Sequence, residues 1–193
     1  MVTVLDRDDI IAGLRELVDE LRAAGEIAGI RIVGGAALAL RYFDRGVTHD
    51  LDVLHVRPGS DEVVARAAAA VAQRRGWDET WLNFSVTRAD ALPTLGRAVE
   101  WHTVFDQHGF TIDVASKEAL LAMKLRANRP GRDTRDIRLL MALCGLTALD
   151  DIEALYEDFY PGDSLSDRAI GMVDAILADG PAAPPTQPPS PEI

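Results

Sequence analysis

Apolar residues recur at helical spacing from Asp6 to Ala24, with Ile10, Ile11, Leu14, Leu17, Val18 and Leu21 on one face. Gly25 and Gly29 bracket the end of this predicted helix. Ile30–Val33 is a short apolar strand that meets Gly34-Gly35, and Ala36–Phe43 is an Ala- and Leu-rich helix broken by Gly46. Asp50–Val56 alternates as a second strand, and Asp61–Arg75 is a long Ala-rich helix stopped by Gly76. Trp77–Arg97 is irregular. Glu100–Phe105 and Phe110–Ala115 flank Asp106-Gln-His-Gly109 as a hairpin. Ser116 caps a helix to about Asn128, Arg129-Pro-Gly131 turns, and Asp133 opens a helix through Leu143. Two more helices follow, near Leu149–Phe159 and Leu165–Ala178. The order is helix, β-α-β, helix, hairpin, then four helices. It implies an α/β fold: a small mixed sheet with flanking helices, then a C-terminal helical region.

The chain has 193 residues, of which 48% are hydrophobic, enough for one domain with a core and a small appendage. The expected division is residues 1–116, a helical region 117–179, and a Pro-rich tail 180–193 whose lack of apolar content predicts disorder. No apolar run reaches the length of a membrane span and the first residues do not read as a signal peptide, so no membrane partner is expected. Cys144 is the one cysteine, which excludes an internal disulfide and a thiolate metal site and fits a reduced cytoplasm.

The net charge of −11 is unevenly spread. From Leu139 onward there are ten acids and one base, a net of −9, which leaves −2 for the rest. Lys117–Arg138 carries seven bases against three acids. A local basic strip therefore survives in an acidic chain.

Against that background the run Thr48-His-Asp-Leu-Asp-Val53 carries the chemistry. Period two places Asp50 and Asp52 on one face of a strand. Two adjacent carboxylates repel, and a divalent cation on a nucleotide triphosphate is the usual compensator, because Mg²⁺ takes hard oxygens from one or two carboxylates, phosphates and water. Two solvated strand aspartates are the plain alternative. Gly34-Gly35 sits where a strand runs into a helix, and glycine there lets backbone amides approach a phosphate at the helix start. Asp113, in Phe-Thr-Ile-Asp-Val-Ala, is a third acid in an apolar strand. A metal or a partner Lys or Arg would relieve its burial.

The run Val33-Gly-Gly-Ala-Ala-Leu-Ala-Leu followed by Thr48-His-Asp-Leu-Asp-Val resembles the signature of the nucleotidyltransferase (DNA polymerase β-like) superfamily. Ala119-Leu-Leu-Ala-Met-Lys-Leu-Arg-Ala and Arg132-Asp-Thr-Arg-Asp-Ile, with Trp81-Leu-Asn83, are similar to the minimal nucleotidyltransferases related to AbiEii toxins of type IV toxin–antitoxin pairs, mycobacterial tRNA-modifying ones among them. The resemblance covers roughly residues 30–140. It implies a nucleotidyltransferase sheet, an enzyme that moves a nucleoside monophosphate from Mg-NTP to an RNA acceptor such as a tRNA 3′ end, and a cognate antitoxin.

It also implies roles. Asp50, Asp52 and Asp113 would be metal ligands, with Asp113 alternatively the base for the attacking hydroxyl. Gly34, Gly35 and Lys124 would position phosphates, and Asp136 matches the family's later acid. Lys124 and Lys117 are the only lysines in a chain that otherwise uses arginine. Asp133 and Asp136 equally suit a helix start, as N-cap and third helical residue. Arg126, Arg129, Arg132 and Arg135 form a basic strip that either tracks RNA or is solvated. The four histidines show no metal-ligand spacing, and Trp77, Trp81 and Trp101 are expected in the core. The spacing from Lys124 to Asp136 is shorter than the family's. An antibiotic- or protein-modifying transferase and a non-catalytic nucleotide-binding module of the same fold are the other readings.

Overall fold

The computed structural model describes residues 3–88 and 91–193, and it divides into two compact units. The first comprises residues 1–89, 101–115 and 187–193, and the second residues 90–100 and 116–186. The second unit takes up residues 116–186 together with the stretch 90–100, and the end of the chain is grouped with the first.

The first unit is built on five strands: β1 (Ala28–Val33), β2 (Leu51–Val56), β3 (Leu82–Asn83), β4 (Trp101–Gln107) and β5 (Phe110–Ala115). Their order is β3-β2-β1-β5-β4. β1 runs antiparallel to β2 and parallel to β5, β2 is parallel to β3, and β4–β5 is the antiparallel hairpin. The sheet is therefore mixed, as the element order predicts.

Register assigns the faces. Ile30, Ile32, Leu51, Val53, Ile112 and Val114 are all buried, and Ile32 pairs with both Val53 and Val114. This is the core face, packed with helices α1 (Arg7–Ala23), α2 (Gly34–Arg41) and α3 (Asp61–Arg75). Arg31, Leu54, Asp113 and Thr103 pair in one row, so they share the opposite face, together with Asp52 and its partner Val33.

The helices begin and end where local chemistry directs. Asp6 and Asp9 form a reciprocal capping box on α1. Ser60 caps α3, and Gly76 ends it at φ 66°. Trp81, fully buried, donates Nε1–H to the Ala68 carbonyl at 2.9 Å. Its ring and that of Trp77 press on α1 at Gly13, where a Cβ would stand 2.9 Å from both. The expectation of a core role thus holds for Trp81, whereas Trp77 and Trp101 are half-buried.

Residues 77–97 were expected to be irregular. They contain a 3₁₀ turn (Glu79–Trp81), β3 and a short helix α4 (Ser85–Arg88). Two residues of strand are too few for alternation to reveal.

The second unit consists of α5 (Lys117–Ala127), α6 (Thr134–Cys144), α7 (Leu149–Phe159) and α8 (Asp167–Ala178), with residues 91–100 laid against them. α5 packs on α6 and α7, α8 on α6 and α7. α5 has no marked polar face: Ala119–Ala122, Lys124 and Leu125 are all buried, as suits a helix at the centre of a bundle.

Residues 180–193 carry no helix or strand, in keeping with their composition. Within the first unit, however, Arg7 donates to the Pro189 carbonyl at 2.5 Å and Arg15 to that of Glu192. Extended proline-rich chain leaves its carbonyls available to such donors. No helix among the described residues is long and apolar enough to cross a membrane.

Candidate functional site

β1 runs directly into α2, and the junction is where the glycine pair matters. Val33 is extended, Gly34 takes φ 69°, and no side chain caps the helix. The first-turn amides of α2 thus lack the side-chain acceptor that Ser60 and Ser116 supply to α3 and α5. Asp52, on β2 opposite Val33, brings Oδ2 to 3.1 Å from where a Cβ on Gly34 would stand. A carboxylate there faces the positive end of a helix. At Gly35 the position of a Cβ lies 2.9 Å from both the Arg45 guanidinium carbon and Thr48 Oγ1. The two glycines are therefore a close-approach surface, with a carboxylate on the first and a guanidinium on the second.

Asp50 lies one residue before β2, slightly later-starting than predicted. It accepts from Asn83 Nδ2 at 3.3 Å, and Asn83 is aimed by its other amide atom, which accepts from the Ser85 N–H at 2.9 Å. Asn83 is also the β3 partner of Asp52. Asp50 and Asp52 are both half-buried, so solvent and solutes reach them. Gly34, Gly35, Asp50 and Asp52 are thus brought together, as expected. Arg45 and the amide of Asn83 complete the group. Neither was assigned a role from the sequence, although Arg45 stands in the loop that returns from the glycine helix to the aspartate strand.

Asp113 shares the face but not the cluster. It pairs in register with Arg31, one strand and two residues away from the Val33–Asp52 pair, which separates the two Asp Cα atoms by roughly 12 Å at standard strand spacings. Its carboxylate accepts from Thr103 Oγ1 at 2.8 Å and lies 3.5 Å from Arg31 Nε. Arg31 in turn stacks over Trp101 at 4.7 Å. Of the two ways to relieve this acid, the structure holds the arginine pair. Among the described residues no group of three or more His, Cys, Asp or Glu is arranged to hold a metal ion.

The remaining predicted residues lie in the second unit. Lys124 is 5% exposed, and its ammonium stands 2.7 Å from Asp133 Oδ1 and 2.9 Å from Asp136 Oδ2. Arg129 adds Nε and its own backbone N–H to Asp133 Oδ2, at 2.9 and 3.0 Å. Asp133 does not cap α6: it stands at the N-cap position with helical backbone angles and no side-chain cap bond. Its side chain turns back to the cations instead. Burial pushes the Asp133 carboxyl up, but the Arg129 and Lys124 donors outweigh it and hold the pKa at about 2.

In the basic strip Arg126 pairs with Asp163 at 3.3 Å and Arg129 with Asp133, and all four arginines are exposed. Cys144, whose thiol burial pushes up to about 12, offers no thiolate at neutral pH.

Comparison with protein-family models, with curated proteins and with solved structures returns no match. The functional reading therefore rests on the motifs and on the geometry just described.

Proposed function

We propose that the chain is a nucleotidyltransferase that moves a nucleoside monophosphate from an NTP to an RNA acceptor, the expected acceptor being a tRNA 3′ end and the expected setting a toxin–antitoxin pair. One observation carries the reading: the half-exposed Asp50/Asp52 pair meets the positive-φ Gly34 turn at the start of α2, with Asp52 Oδ2 3.1 Å from the space a side chain would fill. Carboxylates and the start of a helix that has no side-chain cap, in one place, suit a ligand that is both anionic and metal-bearing.

The donor set fits Mg²⁺. Asp50 and Asp52 supply hard oxygens, and an ion that takes one or two carboxylates and fills its shell from phosphates and water needs no third protein acid. Asp50 and Asp52 would hold it, and when bound it supplies charge neutralisation on the triphosphate and on the departing pyrophosphate. The α2 amides and the guanidinium of Arg45 would donate to phosphate oxygens. Asn83 fixes the direction of Asp50. Asp113, which accepts from Thr103 and pairs with Arg31, orients Arg31. The Lys124 ammonium, between Asp133 and Asp136, orders the helical unit, and any phosphate must compete with those two carboxylates.

Incubation of the full chain with labelled NTPs and total tRNA tests the proposal. Label enters tRNA with the wild type and not with Asp52→Ala. Label in protein or in an aminoglycoside instead would assign the acceptor elsewhere. Nucleotide binding with no transfer to any acceptor would reduce the chain to a binding module. Growth arrest on expression, relieved by the same substitution, tests the toxin setting.

A further inference from the structure

In the helical unit, the end of α7 and the segment 91–100 enclose a cavity of about 300 Å³ that the proposed chemistry does not use. The segment is fixed in place. The Tyr160 hydroxyl donates to the Ala91 carbonyl at 2.6 Å, and the Arg97 N–H donates to the Asp158 carbonyl at 2.6 Å. A Cβ on Gly96 would stand 2.2 Å from that carbonyl oxygen, so only glycine allows the approach.

The walls combine two aromatic residues, one guanidinium and one carboxylate. Phe159, Tyr160 and Arg126 line the cavity, with Asp163 beside them and Leu92 and Leu95 on the segment side. The Arg126 guanidinium stacks 4.4 Å over Tyr160, and Arg97 stacks 5.3 Å over Phe159. Asp163 Oδ2 accepts from Arg126 at 3.3 Å and from the Tyr156 hydroxyl at 2.9 Å, which fixes a carboxylate at the cavity. Leu95 is 88% exposed, a large apolar side chain left in water at the cavity margin.

Tyr160 is buried beneath Arg126, and an exposed guanidinium plane is a surface on which a planar heterocycle stacks. The volume matches a small-ligand pocket. The surroundings decide between base and phosphate. α7 carries Asp150, Asp151, Glu153, Glu157 and Asp158, a poor track for a polyanion, whereas the cavity itself presents the exposed Arg126 in a compensated Arg–Asp pair. A neutral ring whose amino group donates to Asp163 fits both facts.

We propose that this cavity is a nucleobase pocket that takes one unpaired, amino-bearing base, supplied by an RNA strand or by a free nucleotide. The proposal rests on the RNA-acceptor reading above and deepens it by naming where the acceptor is gripped outside the aspartate site.

Fluorescence anisotropy of labelled octamers rA8 and rU8 with the full chain tests it. The wild type binds rA8 more tightly than rU8. Arg126→Gln and Tyr160→Leu each weaken rA8 by roughly 5- to 100-fold, the range for loss of one stacked base, while Tyr160→Phe retains binding. Binding that resides in the base varies little with salt, by less than about threefold between 50 and 200 mM. Displacement of rA8 by AMP makes the free nucleotide a sufficient source of the base, and no displacement assigns it to the strand. Unchanged rA8 affinity in Arg126→Gln and in Tyr160→Leu, or no binding of rA8 and AMP by the wild type, overturns the pocket. Asp52→Asn separates the two claims. It binds rA8 like the wild type if the pocket is right, whether or not it transfers. Loss of the pocket effect with transfer intact would leave the enzyme reading standing alone.

Discussion

Asp50 and Asp52 in the sheet unit and Asp133 and Asp136 in the helical unit are both closely spaced acid pairs, and the fold treats them differently. The helical pair is 0% and 2% exposed, and Lys124 lies within 3 Å of both carboxylates. The sheet pair is half-exposed, touches a neutral amide at Asn83, and lies against a glycine turn at a helix start. A sealed, charge-matched cluster is built to be kept, since opening it exposes a buried ion without its partner. A half-open pair beside helix amides is built to be completed from solution. Residue type and spacing do not separate the two, but burial does.

The largest expected effect tests the sealed half of that contrast. Lys124→Met leaves two buried carboxylates with one fewer cation and is expected to cost roughly 3–5 kcal/mol in denaturant unfolding of the full chain. An unchanged unfolding midpoint with transfer abolished would instead place Lys124 on the nucleotide.

The acid limb of stability gives the next effect. The Asp133 pKa is lowered in the fold to about 2, below its model-compound value of 3.8. Its contribution is therefore complete above pH ~4 and is lost as pH falls toward ~2, an effect of about 2 kcal/mol. Asp133→Asn should lower stability at pH 7 and flatten that limb. A limb of unchanged steepness would assign acid sensitivity to other groups.

Gly34→Ala probes the open half. The added Cβ meets Asp52 Oδ2 at 3.1 Å with φ at 69°, so a cost of about 1–2 kcal/mol is expected together with weakened NTP binding. Full nucleotide affinity in that variant would remove the turn from the site. Asn83→Ala deletes one neutral hydrogen bond to Asp50 and is expected to lower transfer by about fivefold with little change in thermal midpoint. An equal loss of both would mean that Asn83 serves only the β2–β3 pairing.

Where side chains themselves signal structure, the sequence was legible. Asp61–Arg75 and Leu149–Phe159 form helices with the bounds read from periodicity, helped in α3 by the Ser60 cap and Gly76. The glycine turn and the aspartate strand lie side by side because antiparallel pairing carries Val33 to Asp52. What stayed hidden depends on backbone pairing or on tertiary charge. β1 begins at Ala28 because its backbone pairs with β2 and β5, a bond that leaves no side-chain pattern. β3 is two residues long. Asp-x-x-Asp before an apolar run has the form of a helix start as much as of a site, and Lys124 and Arg129 draw the Asp133 carboxylate away from the cap. Arg45 was invisible as a site residue because only folding lays its guanidinium on Gly35.

The central claim is that Asp50 and Asp52 form the open, ligand-completed pair. Calorimetric titration of the full chain with a non-hydrolysable NTP, with and without Mg²⁺, tests it most directly. The account predicts Mg²⁺-dependent binding by the wild type, and for Asp52→Asn a loss of more than about tenfold at an unchanged thermal midpoint, since even outer-shell changes cost that much at metal sites. Equal binding by both proteins, or binding indifferent to Mg²⁺, would contradict it.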